Sequence, residues 1–208
     1  MLVTTDVPRP LRADAARNSE RIARAAREVF AEHGPDAPLE EVARRAGVGI
    51  ATLYRRFPDK AGLVHAALDQ GFAERMAPVI EQALGHDDPY RGLVTVLETA
   101  ISLAISERGI LAAARDAGAL TAEASAPFFS SLTVLVRRAQ DAELLRDDLV
   151  PEDVLRVMVM LVSVLSTMAP EGDGWRRYLA LTLDGLDPAA ARRLPPAVPL
   201  LSDLMDGP

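Results

Sequence analysis

Apolar side chains recur at spacings of three and four residues along most of the chain, which is the period of one face of an α-helix. The clearest example is the face formed by Ile22, Ala26, Val29 and Phe30, which ends at the segment HGPDAP. No stretch alternates apolar and polar residues with the period of two that a half-buried strand shows. The pattern therefore predicts an all-α fold of about nine helices, which begin near residues 18, 39, 50, 59, 88, 109, 121, 151 and 175.

The first three predicted helices lie within about 40 residues of one another, and a short turn that contains Gly47 joins the last two. Two helices joined by a short glycine-containing turn are typical of a helix-turn-helix. We therefore expect four regions, which are a mobile arm at 1–14, a helix-turn-helix DNA-binding domain at 15–62, a second helical domain at 63–187 and a Pro-rich tail at 188–208 that is extended or disordered.

Charge is distributed unevenly along the 208 residues. The net charge is −7, but residues 1–60 carry 11 basic against 9 acidic side chains, whereas residues 61–208 carry 12 against 21. Five basic residues within 44–60 are opposed by a single aspartate. Basic side chains concentrated on a helix-turn-helix favour double-stranded DNA as the partner.

The remaining composition excludes several classes of protein. The chain has no cysteine, which rules out disulfides and thiolate metal sites. Its most apolar run, residues 154–165, is far shorter than the roughly 20 apolar residues that cross a bilayer. We expect no leader segment, no contact with a membrane and a cytoplasmic location. Because no glycine-rich phosphate loop, nucleophile turn or zinc-binding pair is present, neither an enzyme nor a cofactor or metal site is expected.

The third predicted helix is the one that a helix-turn-helix inserts into the major groove. If Leu53 and Phe57 face the core, the opposite face is free for DNA. Small or apolar residues suit base edges, an arginine can fork onto a guanine, and hydroxyl or basic groups suit phosphate oxygens. The expected base contacts are Gly49, Ile50, Ala51 and Arg55, and the expected phosphate contacts are Thr52, Tyr54, Arg56 and Lys60. The alternatives are a partly buried core aromatic for Tyr54 and a merely solvated face for the two arginines.

These residues resemble the DNA-binding region of the TetR family of bacterial one-component transcriptional regulators. The likeness covers roughly residues 15–65 and rests on the segments RIARAAREVFAEHG, LEEVARRAGV and ATLYRRFPDK. It implies base contacts at the start of the third helix and phosphate contacts from the threonine, tyrosine and lysine that follow. The sequence departs from the family pattern at Gly49, where serine often caps the helix, and at Arg56, where histidine is frequent.

The resemblance also implies a two-fold dimer that places two recognition helices on a palindromic operator. Residues 154–168 are apolar on nearly every face, which does not suit a helix at the surface of a monomer. With the last helix they would form a four-helix bundle across the two-fold axis. The expected interface residues are Val154, Val157, Met158, Leu161, Leu165, Trp175, Tyr178, Leu179 and Leu186. The alternative is that this helix is the centre of a monomeric core.

In the family that the sequence resembles, the second domain encloses a cavity for a small, usually lipophilic effector. The expected lining residues are Met76, Leu97, Ile101, Ile105, Leu111, Phe128, Phe129, Leu132 and Met158, although the same spacing suits an ordinary core. We therefore expect a homodimeric transcriptional repressor released by an effector. Two alternatives stay open, which are a regulator whose helical domain docks a protein partner and a small all-helical enzyme.

Overall fold

The structure is a computed structural model that describes residues 9–120, 122–168, 172–190 and 192–197. Most of these residues are helical and none of them lies in a strand, which confirms the all-α prediction. No helix within these ranges is long and apolar enough to cross a membrane. The α-helices are α1 (Arg9–His33), α2 (Leu39–Arg45), α3 (Ile50–Arg56), α4 (Lys60–Gly71), α5 (Ala77–Leu84), α6 (Pro89–Ser106), α7 (Arg108–Asp116), α8 (Ala122–Asp141), α9 (Pro151–Val164) and α10 (Trp175–Gly185).

The bounds of two helices differ from the expectation. α1 begins at Arg9, inside the stretch expected to be a mobile arm. A proline is tolerated in the first helical turn because its fixed φ suits a helix and because the backbone N–H that it lacks would have no intrahelical acceptor there. Residues 1–8 of the expected arm lie outside the described residues. The predicted fourth helix is divided by a π-helical segment, Phe72–Met76, after which Pro78 lies in the first turn of α5.

Contacts divide the described chain into two units that do not follow the expected boundary between residues 62 and 63. Unit 1 contains the chain up to Gly71 together with Arg108–Ala119, and therefore α1 to α4 and α7. Unit 2 contains Phe72–Glu107 and the chain from Leu120 onward. The boundary lies after α4 because the buried face of α4 packs on α1.

Unit 1 is built around α1, whose apolar face contacts α2, α4 and α7. Ile22, Val29 and Phe30 on this face are fully buried. The core is rich in alanine, and its helices approach closely. A Cβ on Gly109 of α7 would lie 1.9 Å from the backbone oxygen of Phe30, so only glycine fits at this crossing unless a helix moves.

Unit 2 has larger side chains in its core, and α6 contacts α5, α8 and α9 there. The start of α6 is fixed by Asp88, whose carboxylate accepts a hydrogen bond of 3.0 Å from the backbone N–H of Arg91. Leu93, Leu97 and Ile101 are buried along one face of α6. Each such side chain contributes about 1.5–3 kcal/mol by its removal from water.

The first part of the Pro-rich tail is attached to unit 2. Pro188–Ala190 forms a 3-10 turn, and residues 192–197 continue without regular secondary structure. The Nε of Arg146 donates to Oδ1 of Asp148 at 2.6 Å, and Oδ2 of Asp148 accepts a hydrogen bond of 2.7 Å from the backbone N–H of Leu194. The hydrogen bond from Arg146 is the main reason that the pKa of Asp148 is lowered to about 2. Residues 191 and 198–208 of the expected tail lie outside the described residues.

Candidate nucleic-acid interface

A tight turn sets the direction of α3 relative to α2. The backbone N–H of Val48 donates to the carbonyl of Ala43 at 3.0 Å, and that of Gly47 donates to Arg44 at 3.1 Å, which together form a Schellman motif. Gly47 has a φ of 65°, in the left-handed region that favours glycine. Gly49 then leads into α3 with extended backbone and no side-chain cap. The start of α3 is therefore sterically open.

α3 has one buried side and one exposed side. Leu53 is fully buried, and Phe57, directly after the helix, is 9% exposed. Ala51 and Arg55 are exposed, and Tyr54 is 45% exposed, so the tyrosine is not part of the core. These three side chains lie at spacings of three and four residues and form an outer surface that a groove of DNA can receive.

Two of the predicted contact residues at the start of α3 are less exposed than expected. Ile50 is half-buried and packs against the core of unit 1, because it lies three residues before Leu53 on the same side of the helix. Thr52 is also half-buried. Only part of the isoleucine side chain is therefore available to a base edge.

The arginines of the basic segment are not equivalent. Arg45 donates to Glu32 with an Nη2–Oε2 distance of 2.7 Å, and Arg44 donates to Glu41 with an Nε–Oε2 distance of 2.7 Å. These hydrogen bonds are the main reason that the pKa values of Glu32 and Glu41 are lowered. The charges of these two arginines are balanced within unit 1, so the arginines of α3 carry the charge that an anionic partner would meet.

Lys60, at the start of α4, is tied to the end of α1 and to the loop that follows it. Its Nζ donates to the carbonyl of Pro35 at 2.7 Å and lies 5.6 Å from the centre of the Phe30 ring. An ammonium group has three N–H donors, so two of them remain for a phosphate oxygen. The lysine therefore has a structural contact besides the phosphate contact that the sequence predicts.

Arg56 is the last residue of α3 and is bound to α1. Its Nε donates to the hydroxyl oxygen of Ser19. Ser19 is absent from the residues predicted for the site, because a single serine on an amphipathic helix gives no signal in the sequence. Only the fold brings it next to α3.

The residues predicted for an effector pocket do not all belong to one unit. Leu111 lies on α7 in unit 1, whereas the other eight contribute to the apolar cluster of unit 2. Phe128 and Phe129 are in edge-to-face contact with a centroid distance of 5.4 Å, and Phe72, which was not predicted, contacts Phe128 at 6.4 Å. Met76, Leu97, Ile101 and Leu132 are buried, whereas Ile105, Phe128, Phe129 and Met158 are half-buried.

Most of the residues predicted for a dimer interface are directed into the core of unit 2. Five of the nine are no more than 7% exposed, namely Val154, Leu161, Trp175, Leu179 and Leu186. Val157, Met158 and Leu165 are half-buried against the same cluster, which leaves Tyr178 as the exposed member at 40%.

The exposed apolar side chains of α9 and α10 lie at other positions. They are Val159 (58%), Met160 (59%), Val162 (36%) and Leu181 (68%). When a helix is apolar on every side, periodicity does not show which stripe meets its own core. Of the residues predicted for the interface, Tyr178 shares this exposed apolar surface.

The chain is similar to known regulators in both sequence and structure. The sequence-family model for bacterial regulatory proteins of the tetR family matches residues 22–67. The family model for the C-terminal domain of SbtR-like transcriptional regulators matches residues 88–188. An HTH-type transcriptional regulator of Staphylococcus aureus is 34% identical over 61 residues, which span 29% of this chain and 33% of that protein. The chain thus matches about a third of the length of this curated relative.

Solved structures extend the likeness beyond the first helices. The TetR transcriptional regulator SCO0520 from Streptomyces coelicolor is 32% identical, with a TM-score of 0.63 over 82% of this chain and 98% of that chain. A TetR transcription regulatory protein from Mycobacterium vanbaalenii is 30% identical, with a TM-score of 0.61 over 86% of this chain and 99% of that chain. These relatives are regulators and not enzymes. The chain belongs to the TetR family of helix-turn-helix transcriptional regulators.

Proposed function

We propose that the protein is a homodimeric repressor that binds a palindromic operator through α3 and is released by a small lipophilic effector. The exposed face of α3 carries this proposal. Ala51, Tyr54 and Arg55 are accessible while Leu53 and Phe57 fix the helix to its unit. The major groove, about 12 Å wide, accepts a helix with this distribution of side chains.

The exposure of each side chain supports a division of roles. Gly49, Ala51 and Arg55 are suited to base edges, and Ile50 adds the accessible part of its side chain. The groups suited to phosphate oxygens are those of Thr52, Tyr54, Arg56 and Lys60. Each phosphate contact of this kind steepens the dependence of log affinity on log salt by about 0.9.

The exposed apolar residues of α9 and α10 support the dimer. Val159, Met160 and Leu181 are each more than half exposed, and Tyr178 lies one helical turn from Leu181. Large exposed apolar side chains on two helices that contact each other are typical of an interaction site. A second copy of the same two helices would bury it through an isologous contact.

The aromatic cluster of Phe72, Phe128 and Phe129 supports a lipophilic effector. All three rings are half-buried at the edge of the unit 2 core, and they meet in edge-to-face contacts. Rings that keep part of their surface open offer apolar contact to a small molecule. Such a molecule would release the operator by binding one conformation of the protein more tightly than the other.

Fluorescence anisotropy with labelled DNA from the region upstream of the gene tests the DNA contact. We expect saturable binding that resists scrambled competitor, with two chains per duplex and a steep salt dependence. Binding no tighter than to scrambled DNA, both for this duplex and for duplexes selected from random sequence, would contradict the proposal.

Sedimentation of two single variants tests the dimer. Leu181→Glu places a charge on the proposed interface and should yield monomers. Val134→Glu on α8, where the valine is 46% exposed, is the matched control and should leave the dimer intact. Dissociation of the control variant alone would place the interface on another face.

A further inference from the structure

Ser19 on α1 joins the proposed DNA surface through Arg56. Its hydroxyl donates to the carbonyl of Ala15 at 2.8 Å and accepts a hydrogen bond from Nε of Arg56. The serine and the arginine lie 37 positions apart along the chain. The contact therefore links the first helix of unit 1 to the end of the recognition helix.

The donors and acceptors of this contact leave one edge of the guanidinium open. A serine hydroxyl has one proton, and the carbonyl of Ala15 receives it, so a lone pair of the oxygen is directed at Arg56. Arg56 uses Nε for this bond. Its two terminal nitrogens form the opposite edge, which matches the geometry of two phosphate oxygens.

The surroundings of Arg56 leave room for its side chain to move. An open surface groove of about 350 Å³ adjoins the pair, so the arginine is not packed on all sides. Glu20 also lines this groove and provides a carboxylate to which a released guanidinium could turn. Arg44 and Arg45 show the result of such pairing, because acidic neighbours in unit 1 balance their charge.

We propose that Ser19 is a positioning residue that holds the terminal edge of Arg56 toward the DNA backbone and away from Glu20. The inference rests on the proposed function, because it assigns Arg56 to a phosphate. Ser19 acts through the arginine and makes no contact with DNA.

A double-mutant cycle tests the proposal, with binding measured by anisotropy on a selected operator and on a nonspecific duplex of equal length. We expect Ser19→Ala to weaken binding about three- to tenfold, the effect of losing one hydrogen bond. We expect Arg56→Ala to lower the salt slope by about 0.9. In the Arg56→Ala background, Ser19→Ala should have no further effect.

Three variants separate positioning from a change in folding. Ser19→Thr keeps the hydroxyl and should restore binding, and Glu20→Gln should recover part of the affinity in the Ser19→Ala background. Ser131→Ala on α8 removes a hydroxyl that makes the same bond to the carbonyl four residues earlier, at 2.9 Å, and should leave DNA binding unchanged.

The outcomes are distinct. An equal loss from Ser19→Ala with and without Arg56 would mean that the serine contacts DNA itself, which overturns the proposal, as would the absence of any loss. A parent that shows no sequence preference would count against the proposed function alone. Because nonspecific binding depends on phosphate contacts, the double-mutant cycle on the nonspecific duplex would still test the role of Ser19 in that case. Failure of the parent to bind any duplex would reject both.

Discussion

Unit 1 and unit 2 each contain a helix crossing closed by a glycine, but the two crossings differ in how tightly they are packed. A Cβ on Gly109 would lie 1.9 Å from the carbonyl oxygen of Phe30 in unit 1, whereas a Cβ on Gly92 would lie 2.8 Å from that of Ala83 in unit 2. The alanine-rich unit 1 buries its apolar residues and presents polar groups on α3. Unit 2 has larger core residues and retains exposed apolar side chains on α9 and α10.

The two units have different structural requirements. Unit 1 requires a fixed backbone so that a short helix is held at a defined angle, and small residues at its crossings provide this. In the proposed dimer, unit 2 also provides a surface that another copy covers. Substitutions that enlarge or weaken single contacts should therefore act differently in the two units.

The largest expected effect is that of Gly109→Ala. We expect a loss of about 3 kcal/mol in the free energy of unfolding, because a backbone oxygen cannot yield to the added methyl group as a flexible side chain would. Gly92→Ala should cost about 1 kcal/mol, since the overlap is smaller. Gly185→Ala is the matched control, because nothing lies within 4 Å of its Cβ, and it should be neutral or stabilising. Urea denaturation of the three variants measures the difference, and equal losses at the two crossings would contradict the distinction between the units.

The next effect concerns two basic residues of unit 1. Lys60→Ala should lower the free energy of unfolding by about 1 kcal/mol, because it removes a charged donor from the carbonyl of Pro35. It should also weaken DNA binding. Arg55→Ala should weaken DNA binding and leave stability within about 0.5 kcal/mol of the parent, as is usual for an exposed side chain. Denaturation and anisotropy on the same preparations separate the two outcomes, and unchanged stability of the lysine variant would argue that its contact is incidental.

A smaller effect, of opposite sign, is expected in unit 2. α8 ends in the same hydrogen-bond pattern as α2, but Glu143 occupies the left-handed position with a φ of 57°, where α2 has Gly47. We expect Glu143→Gly to raise the free energy of unfolding by about 0.5–1 kcal/mol, because a side chain is strained in this conformation. Gly47→Ala should have the reverse effect in unit 1. A loss of stability in the Glu143 variant would mean that the glutamate side chain has a stabilising contact.

The smallest effect is expected in acid. The pKa of Asp148 is lowered from 3.8 to about 2 in the folded protein, so this carboxylate stabilises the fold above pH 3.8 and its contribution is lost as pH falls through about 2. The difference in stability between the parent and Asp148→Asn should therefore narrow between pH 4 and pH 2. Denaturation midpoints at several pH values check this, and a constant difference would show that the charge of Asp148 is not involved. Asp147→Asn is the control, because its carboxylate is exposed.

The sequence was sufficient for the fold class and for the exposure of Ala51, Tyr54 and Arg55 on α3, though not for the partial burial of Ile50. Both successes depend on local periodicity and on a turn whose glycine has a clear physical role. It failed where the outcome depends on which partner a helix finds. The apolar stripes of α9 are similar on every side, so Val159 and Met160 could not be told from Val154 and Leu161. The pairing of Ser19 with Arg56 depends on the crossing of two helices and has no local signal.

α7 packs in unit 1 but lies far along the chain from α1 to α4, and this affects how chimaeras of this protein can be built. A chimaera joined at residue 71 would take Phe30 from one parent and residue 109 from the other. Such a hybrid keeps the crossing of α1 and α7 only if the second parent also has glycine at that position. A transferable helix-turn-helix unit therefore consists of two segments, residues 9–71 and 108–119. Transfer of the first segment alone would omit α7, the helix on which α1 and α4 pack.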